Sequence, residues 1–205
     1  MAEMIPRLQD YFRQFIPERD ELLLGMEREA QREGIPIVGP VVGELLFILA
    51  RLSRASNILE LGTATGYSAI YLGRACEGAD GRLITLEKDE NLAMRARANL
   101  IKAGLESRIE VKIGDAIGLM AVMEESFDMI FMDIDKEYYL RAIPHCGRLL
   151  RIGGLLVTDN VGFRAADEFN RTIFSHQQWR TVHLLSLLPE HSPENDGLSL
   201  AMRVK

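Results

Sequence analysis

The sequence predicts an α/β fold built on a mostly parallel sheet, and three observations carry this prediction. From residue 56 onward, short apolar runs alternate with segments of helical periodicity. A glycine turn at residues 62–66 follows the first of these runs and leads into a helical segment. Acidic and amide residues follow the later runs, where strands are expected to end. Such alternation is typical of a parallel sheet with helices on both faces.

The segment before the first strand is expected to be helical and to lie outside the sheet. Amphipathic or apolar patterns predict three helices there, at residues 3–15, 18–33 and 41–53. Pro17 is expected to open the second helix and Gly34 to close it, and an extended linker at 35–40 precedes the third. We expect one domain, 1–205, in which residues 1–53 form a lid or an interface and residues 54–205 form a Rossmann-like core.

The core is expected to contain five parallel strands followed by two more. The parallel strands are predicted at residues 56–61, 82–87, 108–113, 127–133 and 153–158. Helices are predicted at residues 66–75, 90–103, 115–123, 137–150 and 165–177. The last two apolar runs, 180–187 and 197–204, are expected to pair as an antiparallel hairpin at the edge of the sheet.

Composition and charge narrow the classes of protein to which the chain can belong. An apolar content of 47% and a charged content of 26% are ordinary for a globular protein. The net charge of −6 provides no general attraction to nucleic acid or to an anionic membrane. No apolar run approaches the ~18 residues that span a bilayer, and the first residues lack the order of a signal peptide. We therefore expect a cytoplasmic protein without a membrane partner, and buried, reduced Cys76 and Cys146.

The glycine turn predicts a site for a nucleotide-like ligand. Gly62 allows a close backbone approach, and Gly66 begins a helix at the carboxyl end of the first strand. Glu87 ends the second strand, where a carboxylate accepts hydrogen bonds from ribose hydroxyls. Because Ala64 stands where a dinucleotide-binding turn has a further glycine, a dehydrogenase or a merely structural turn is disfavoured. Glu60 repels phosphate but accepts from an ammonium, so this set of residues favours S-adenosylmethionine.

Asp115 follows the third strand, and two interpretations of it are compatible. Its carboxylate can accept a hydrogen bond from the amino group of an adenine. It can equally cap the amino terminus of the helix that begins there.

A cluster of oxygen-bearing side chains is expected where the fourth and fifth strands end. Asp133 follows one strand, and Asp159 and Asn160 follow the other. If the strands are neighbours, these ends lie only about 5 Å apart. Three oxygen ligands without Cys or His favour a hard divalent cation, Mg²⁺ first, with Mn²⁺ or Ca²⁺ as alternatives. The competing interpretation is that these are ordinary turn residues.

Lys136, three residues after Asp133, is a candidate general base. An ammonium beside a divalent cation loses its proton more readily, and the cation also acidifies an acceptor hydroxyl. The alternative is a solvated lysine at the start of a helix. The histidines show no ligand spacing and are expected to be surface or structural residues: His145, His176, His183 and His191.

These segments together resemble those of a known family. The chain resembles the cation-dependent class I O-methyltransferases, the group of catechol and caffeoyl-CoA O-methyltransferases with their bacterial relatives. The resemblance covers about residues 35–205 and rests on ELGTATGYS at 60–68, ITLE at 84–87, DIDKEYY at 133–139 and TDN at 158–160. It implies the Rossmann-like class I methyltransferase fold, a seven-stranded mostly parallel sheet with an antiparallel last strand, preceded by extra amino-terminal helices.

The resemblance also implies a role for each matching residue. Asp133, Asp159 and Asn160 would bind the metal, and Lys136 would deprotonate the acceptor hydroxyl, with Asp133 beside it as the second catalytic residue. Glu60 would meet the amino group of S-adenosylmethionine. The implied cofactor-binding residues are Val38, Glu60, Gly62, Thr63, Ala64, Gly66, Ser68, Glu87, Asp115, Ala116 and Asp133. Within this set, Glu87 would bind the ribose, Asp115 and Ala116 would border the adenine, and Val38, next to Ile37, would cover the methionine part.

The sequence leaves two classes of methyl acceptor possible. We expect a small hydroxylated, catechol-like acceptor, but the loop acid that holds a second hydroxyl in catechol-specific members corresponds most nearly to Pro193, with Glu194 beside it. The run at residues 35–37 also resembles bacterial members that methylate 5-hydroxyuridine at a tRNA wobble position. A non-catalytic cofactor-binding module is the alternative from another class. The apolar helix at 41–53 and the helices before it favour a homodimer.

Overall fold

A seven-stranded sheet forms the centre of the molecule. The computed structural model describes residues 3–77 and 81–205, so the first two residues of the expected domain lie outside the described part. The strands are β1 Asn57–Leu61, β2 Arg82–Glu87, β3 Ile109–Ile113, β4 Phe127–Met132, β5 Leu150–Thr158, β6 Trp179–Leu187 and β7 Asn195–Arg203. Their order is β3-β2-β1-β4-β5-β7-β6, and β7 runs antiparallel to β5 and β6. The predicted fold class is therefore confirmed, including the antiparallel last strand.

Helices cover both faces of this sheet. They are α1 Leu8–Phe12, α2 Glu21–Glu33, α3 Gly39–Leu52, α4 Tyr67–Cys76, α5 Glu90–Lys102, α6 Ala116–Val122, α7 Tyr139–Leu149 and α8 Asp167–Ser175. Ile58 belongs to the apolar layer under α2–α5, whereas its neighbour Leu59 belongs to the layer under α6–α8. This alternation is the period of two of a strand buried on both faces. Within the described ranges, no helix is long and apolar enough to cross a membrane.

The amino-terminal helices differ from those predicted. The first is a single α-helical turn, α1, followed by a 3₁₀ turn at residues 13–15, rather than a helix over 3–15. The second begins at Glu21 and not near Pro17, because the side chain of Asp20 accepts a hydrogen bond from the Leu23 N–H at 2.9 Å. A side-chain cap of this kind defines the first residue of a helix more strongly than a preceding proline does.

The fifth strand is longer than predicted. It begins at Leu150 rather than at residue 153, so α7 ends at Leu149. Leu150 pairs with Phe127, and the register between β4 and β5 then shifts before the regular pairing resumes. Gly153, with φ of 79°, supplies the left-handed residue of this irregularity. Residues 151 and 152, which were predicted to lie between the helix and the strand, therefore belong to a bulged strand.

The strand order brings the carboxyl ends of β1, β4 and β5 together. Backbone hydrogen bonds continue past the strands: Gly62 donates to Leu86, Asp133 to Leu61 and Asp159 to Met132, at 3.0, 2.9 and 3.1 Å. The glycine turn and both predicted acid positions therefore share one edge of the sheet. Cys76 and Cys146 are buried and form no disulfide, as predicted.

Candidate active site

A cavity of about 260 Å³ opens at this edge of the sheet. Its wall combines the glycine turn, the ends of β2, β3 and β4, and the linker before α3. Most of the predicted site residues line it: Val38, Gly62, Thr63, Ala64, Ser68, Glu87, Asp115, Ala116, Asp133, Lys136 and Asn160. The remaining three, Glu60, Gly66 and Asp159, are buried and are not among the residues that line it.

Glycine is required at the first position of the turn. Gly62 has φ of 97°, and a Cβ there would lie 2.1 Å from the Asp133 carbonyl oxygen. Any side chain would therefore push the turn away from the end of β4. Gly66, also left-handed with φ of 89°, caps α4 and packs against Ala96. Its role is to start the helix, whereas Gly62 holds the cavity wall against the acid cluster.

Glu87 supports the turn as well as lining the cavity. One carboxylate oxygen accepts hydrogen bonds from the N–H groups of Thr63 and Ala64, at 3.2 and 2.8 Å. The other accepts from the N–H of Asp89 at 2.9 Å. A carboxylate has about four acceptor positions and three are used here, so about one position remains for a hydroxyl group in the cavity. The residue predicted for the ribose therefore also shapes the turn.

Glu60 is wholly buried, and one of its oxygens has no hydrogen-bond partner among the residues that the structure describes. The hydroxyl of Thr85 donates to Oε2 at 2.6 Å, whereas Oε1 has no hydrogen bond. Burial raises the pKa of Glu60 to about 7, against the lowering effect of the Ser68 and Thr85 hydroxyls. A buried carboxylate oxygen without a partner is costly, and a cationic ligand would remove that cost. This orphaned atom fits the ammonium group of an amino-acid ligand.

Asp115 serves as the predicted helix cap. Its carboxylate accepts from the Gly118 N–H at 2.8 Å, which makes it the N-cap of α6. Asp115 and Ala116 also line the cavity. Capping and a ligand contact are therefore compatible at this position, as the sequence indicated.

The acid cluster forms where β4 and β5 end side by side. Lys136 Nζ donates to Asp133 Oδ1 at 3.2 Å, and the Asp133 side chain is 26% exposed. Burial and the charge of Asp159 raise the pKa of Asp133, while Lys136 and His191 lower it. Two carboxylates that repel each other beside an amide oxygen form a donor set suited to a hard cation. The residues present therefore fit a divalent metal.

Two residues to which the sequence assigned no role in metal binding contact this cluster, and one of them, His191, also lines the cavity. His191 Nε2 lies 2.8 Å from Asp159 Oδ2, and Asn160 Nδ2 donates to Asp196 Oδ2 at 2.7 Å. Ligand atoms of Asp159, His191 and Asp196 lie within 4.8 Å of one another. The prediction of a surface or merely structural His191 missed this contact. No spacing in the sequence could have revealed it, because the residue comes from a loop 32 positions away.

Aromatic side chains surround the amine of Lys136. Its Nζ lies 5.9 Å from the ring centre of Tyr139 and 5.8 Å from that of Phe163. Tyr139 is fully buried and its hydroxyl donates to the Asp159 carbonyl at 3.0 Å. Tyr138 is 37% exposed and lines the cavity. Only Tyr138 of this pair is therefore placed to meet an acceptor.

Glu194 does not turn toward the cavity. Both of its carboxylate oxygens pair with the guanidinium of Arg13, and the contact with Nη1 is 2.7 Å. Oε1 also accepts from the Glu190 N–H at 3.2 Å. This ion pair lowers the pKa of Glu194 to about 2. The acid considered for a second acceptor hydroxyl is therefore engaged in attaching the loop to the amino-terminal segment.

Comparison of sequences finds O-methyltransferases among the relatives of this chain. The family model described as O-methyltransferase matches residues 20–176. A catechol O-methyltransferase of Niastella koreensis is 39% identical over 165 residues, which cover 78% of this chain and 74% of that protein.

Solved structures agree with the sequence relatives. The O-methyltransferase TomG of Streptomyces achromogenes, involved in tomaymycin synthesis and solved with S-adenosylmethionine, superposes with a TM-score of 0.86 at 27% identity. That alignment covers 98% of this chain and all of TomG. An O-methyltransferase of Bacillus cereus, solved with S-adenosylhomocysteine, gives 0.85 at 28% identity over 96% of each chain. The resemblance seen in the sequence is confirmed, and the chain belongs to the O-methyltransferase family.

Proposed function

We propose that this enzyme transfers the methyl group of S-adenosylmethionine to a hydroxyl of a small acceptor with the help of a divalent cation. The observation that carries the proposal is one cavity in which the glycine turn and Glu87 face Asp133, Lys136 and Asn160. The ligands of the two solved relatives, S-adenosylmethionine in one and S-adenosylhomocysteine in the other, support the choice of cofactor.

In this proposal the cofactor lies along the glycine turn. Glu87 accepts from the ribose hydroxyls, and the free oxygen of Glu60 accepts from the ammonium group. Asp115 and Ala116 border the adenine. The linker before α3, which lines the cavity through Ile37 and Val38, covers the methionine part and excludes water from it.

Asp133, Asp159 and Asn160 would hold the cation. Mg²⁺ is the first choice for an all-oxygen set, with Mn²⁺ or Ca²⁺ as alternatives. When bound, such an ion lowers the pKa of a coordinated hydroxyl and orients it. It would also offset the repulsion between Asp133 and Asp159 that raises the pKa of Asp133.

Lys136 would act as the general base. Its uncharged amine takes the proton of the acceptor hydroxyl, and the resulting oxygen attacks the sulfonium methyl carbon in line. The new O–C bond forms as the S–C bond breaks, and its electron pair stays on sulfur. Positioning of the two reactants supplies most of the rate. The rings of Tyr139 and Phe163 lie near the amine, and the Lys136 side chain is 22% exposed.

A methyl-transfer screen tests the reaction and the acceptor together. Catechols, acyl-CoA phenols and hypomethylated tRNA would each be incubated with labelled S-adenosylmethionine, with Mg²⁺ or with EDTA. We expect transfer to a small hydroxylated acceptor that stops in EDTA. Full activity in EDTA would refute the metal site, and transfer to tRNA alone would replace the acceptor class.

The tRNA nucleoside is the weaker of the two acceptor classes. The arginines considered for a basic patch are Arg148, Arg151, Arg164, Arg171 and Arg180. Arg151 pairs with Asp128, Arg171 pairs with Asp167, and Arg148 donates to two carbonyl oxygens. Groups engaged in this way are less free to neutralise phosphates. Salt-dependent binding to total tRNA at low ionic strength would reverse this preference.

We also propose that the enzyme is a homodimer. Apolar side chains on α3 and on the amino-terminal segment are exposed, among them Leu52 at 77% and Phe15 at 60%. A contact between copies would remove this surface from water. Light scattering that gives the mass of one chain at micromolar concentration would contradict the proposal.

A further inference from the structure

We propose that His191 and Asp196 are positioning residues that hold Asp159 and Asn160 in the orientation that binds the cation. His191 lies in the loop after β6, and Asp196 lies at the start of β7. The inference rests on the proposed metal-assisted function, and it assigns to the carboxyl-terminal hairpin a task within that function. Each of the two residues contacts one of the two ligands that follow β5.

A hydrogen bond to the loop backbone fixes the orientation of the His191 ring. Its Nδ1 lies 2.7 Å from the Pro193 carbonyl oxygen, which can only accept a hydrogen bond, so Nδ1 carries a proton. The opposite nitrogen, Nε2, lies 2.8 Å from Asp159 Oδ2, and because an ionised carboxylate only accepts, an Nε2–H is the donor of this contact. The two side chains are 2% and 1% exposed. The ring is therefore a rigid link between the loop backbone and the Asp159 carboxylate.

The contacts of Asp159 leave the carboxylate able to bind a further group. Oδ1 accepts from the Asn160 N–H at 2.8 Å, and Oδ2 faces His191. Each carboxylate oxygen has two acceptor positions, so one position on each oxygen stays free. Partners behind a ligand that restrict its rotation in this way are typical of metal sites.

Asp196 determines which way the Asn160 amide points. Its Oδ1 accepts from the N–H groups of Gly162 and Gly197, at 3.0 and 2.6 Å. Its Oδ2 accepts from Asn160 Nδ2 at 2.7 Å. Because an ionised carboxylate only accepts, the amide nitrogen must face Asp196 and the amide oxygen must face elsewhere. Asn160 lines the cavity, so that oxygen is the atom available to a cation.

The backbone at Asn160 forms a turn that the start of β7 holds in place. Asn160 has φ of 52°, a left-handed conformation that asparagine adopts more readily than most residues other than glycine. The next residue, Val161, donates its N–H to the Gly197 carbonyl at 3.0 Å. The start of β7 therefore holds both the backbone and the side chain of this turn.

Binding of Mn²⁺, measured by the loss of the free-ion electron paramagnetic resonance signal, tests the inference without an activity assay. Asp196→Asn keeps the shape but offers one acceptor oxygen instead of two, so the Asn160 amide loses its fixed orientation. His191→Leu removes the link to Asp159, whereas His191→Gln keeps an N–H donor. We expect D196N and H191L to weaken Mn²⁺ binding about 10- to 100-fold. H191Q should stay within about threefold of the wild type, because a donor is enough.

The matched control is Glu194→Gln, which changes charge and loop attachment without touching Asp159 or Asn160. Its Mn²⁺ affinity should stay within about twofold of the wild type, and S-adenosylhomocysteine affinity should be unchanged in all variants. Equal losses in E194Q and D196N would overturn the inference in favour of general loop order. Equal losses in H191Q and H191L would also overturn it, because the imidazole itself would then bind the ion.

Two further outcomes separate this inference from the function on which it rests. If the wild type binds no Mn²⁺, the proposed metal site fails and the inference fails with it. If the wild type binds Mn²⁺ and both D196N and H191L bind it equally well, only the inference is overturned. Should D196N not fold, the H191L and H191Q pair carries the same test.

Discussion

Two aspartates lie at opposite ends of β4 and are similarly exposed, but their partners and the directions of their pKa shifts differ. Asp128, near the amino end, is 18% exposed, and Asp133, just past the carboxyl end, is 26% exposed. Burial raises the pKa of Asp128, but hydrogen bonds from Arg151, Asn57 and Ser56 outweigh it and leave the pKa lowered. Burial and Asp159 raise the pKa of Asp133 despite Lys136. The partners of each carboxylate, rather than its burial, therefore decide the direction of its pKa shift.

The difference separates stability from function along one strand. The Asp128 carboxylate accepts from two N–H groups, the Ser56 hydroxyl and Arg151, at 2.5 to 3.1 Å. Asp133 is paired with the ammonium of Lys136, and a second carboxylate, that of Asp159, lies nearby. A charge left without enough partners marks a place that can bind something else. The carboxylate at the amino end of β4 therefore has enough partners within the protein, whereas the carboxylate at the carboxyl end does not.

The largest expected effect at the carboxyl end is the loss of Lys136. Lys136→Ala should lower turnover about 10²- to 10⁴-fold, the usual contribution of a general base, with little change in cofactor affinity. Turnover in saturating Mg²⁺ and calorimetric binding of S-adenosylhomocysteine measure the two quantities. Lys102→Ala, on the exposed end of α5, is the matched control. Unchanged turnover in K136A would remove the base from the mechanism.

Asp128→Asn tests the amino end. It should lower the free energy of unfolding by about 2–3 kcal/mol, because N–H donors and Arg151 lose a charged acceptor. Asp167→Asn, at an exposed pair, should change the free energy of unfolding far less, because solvent screens that pair. Because the pKa of Asp128 is lowered from 3.8, its contribution is present above pH 3.8 and lost as pH falls further. Urea unfolding from pH 3 to 7 measures both effects, and turnover per folded molecule should not change.

Glu87→Gln tests whether Glu87, at the carboxyl end of β2, both binds the cofactor and supports the glycine turn. We expect S-adenosylmethionine affinity to fall about tenfold, or ~1.4 kcal/mol, because an amide offers one acceptor oxygen to the turn and the ribose instead of two. Equilibrium binding measures the change, with Glu90→Gln as the control on the next helix. An unchanged affinity would mean that Glu87 contacts the backbone of the turn but does not bind the ribose.

The smallest expected effect is on stability at Asp133. A raised pKa means that ionised Asp133 destabilises the folded state as pH rises above its ordinary 3.8. In EDTA at pH 7, Asp133→Asn should therefore unfold at a free energy equal to or slightly above that of the wild type. The same variant should lose Mn²⁺ binding. A clear loss of stability, comparable to that in D128N, would erase the contrast between the two ends.

Much of the fold and part of the site follow from local patterns. Glu87 was expected at the end of β2 and Asp115 at the start of α6, and both lie there because strand ends and caps depend on a few neighbouring residues. Pro17 was wrong as a helix start, since the Asp20 side chain accepts from the Leu23 N–H and so caps a helix that begins at Glu21. The start of β5 was wrong because its pairing with Phe127 crosses a bulge.

The sequence by itself determined the layered fold, the glycine turn and the acids at the strand ends, because periodicity and turn chemistry act over a few residues. The tertiary structure alone decided that β7 inserts between β5 and β6, which brings Asp196 to Asn160 and His191 to Asp159. It also decided that Glu194 pairs with Arg13, 181 positions away. Contacts between distant segments depend on how whole elements pack, and no local pattern records that.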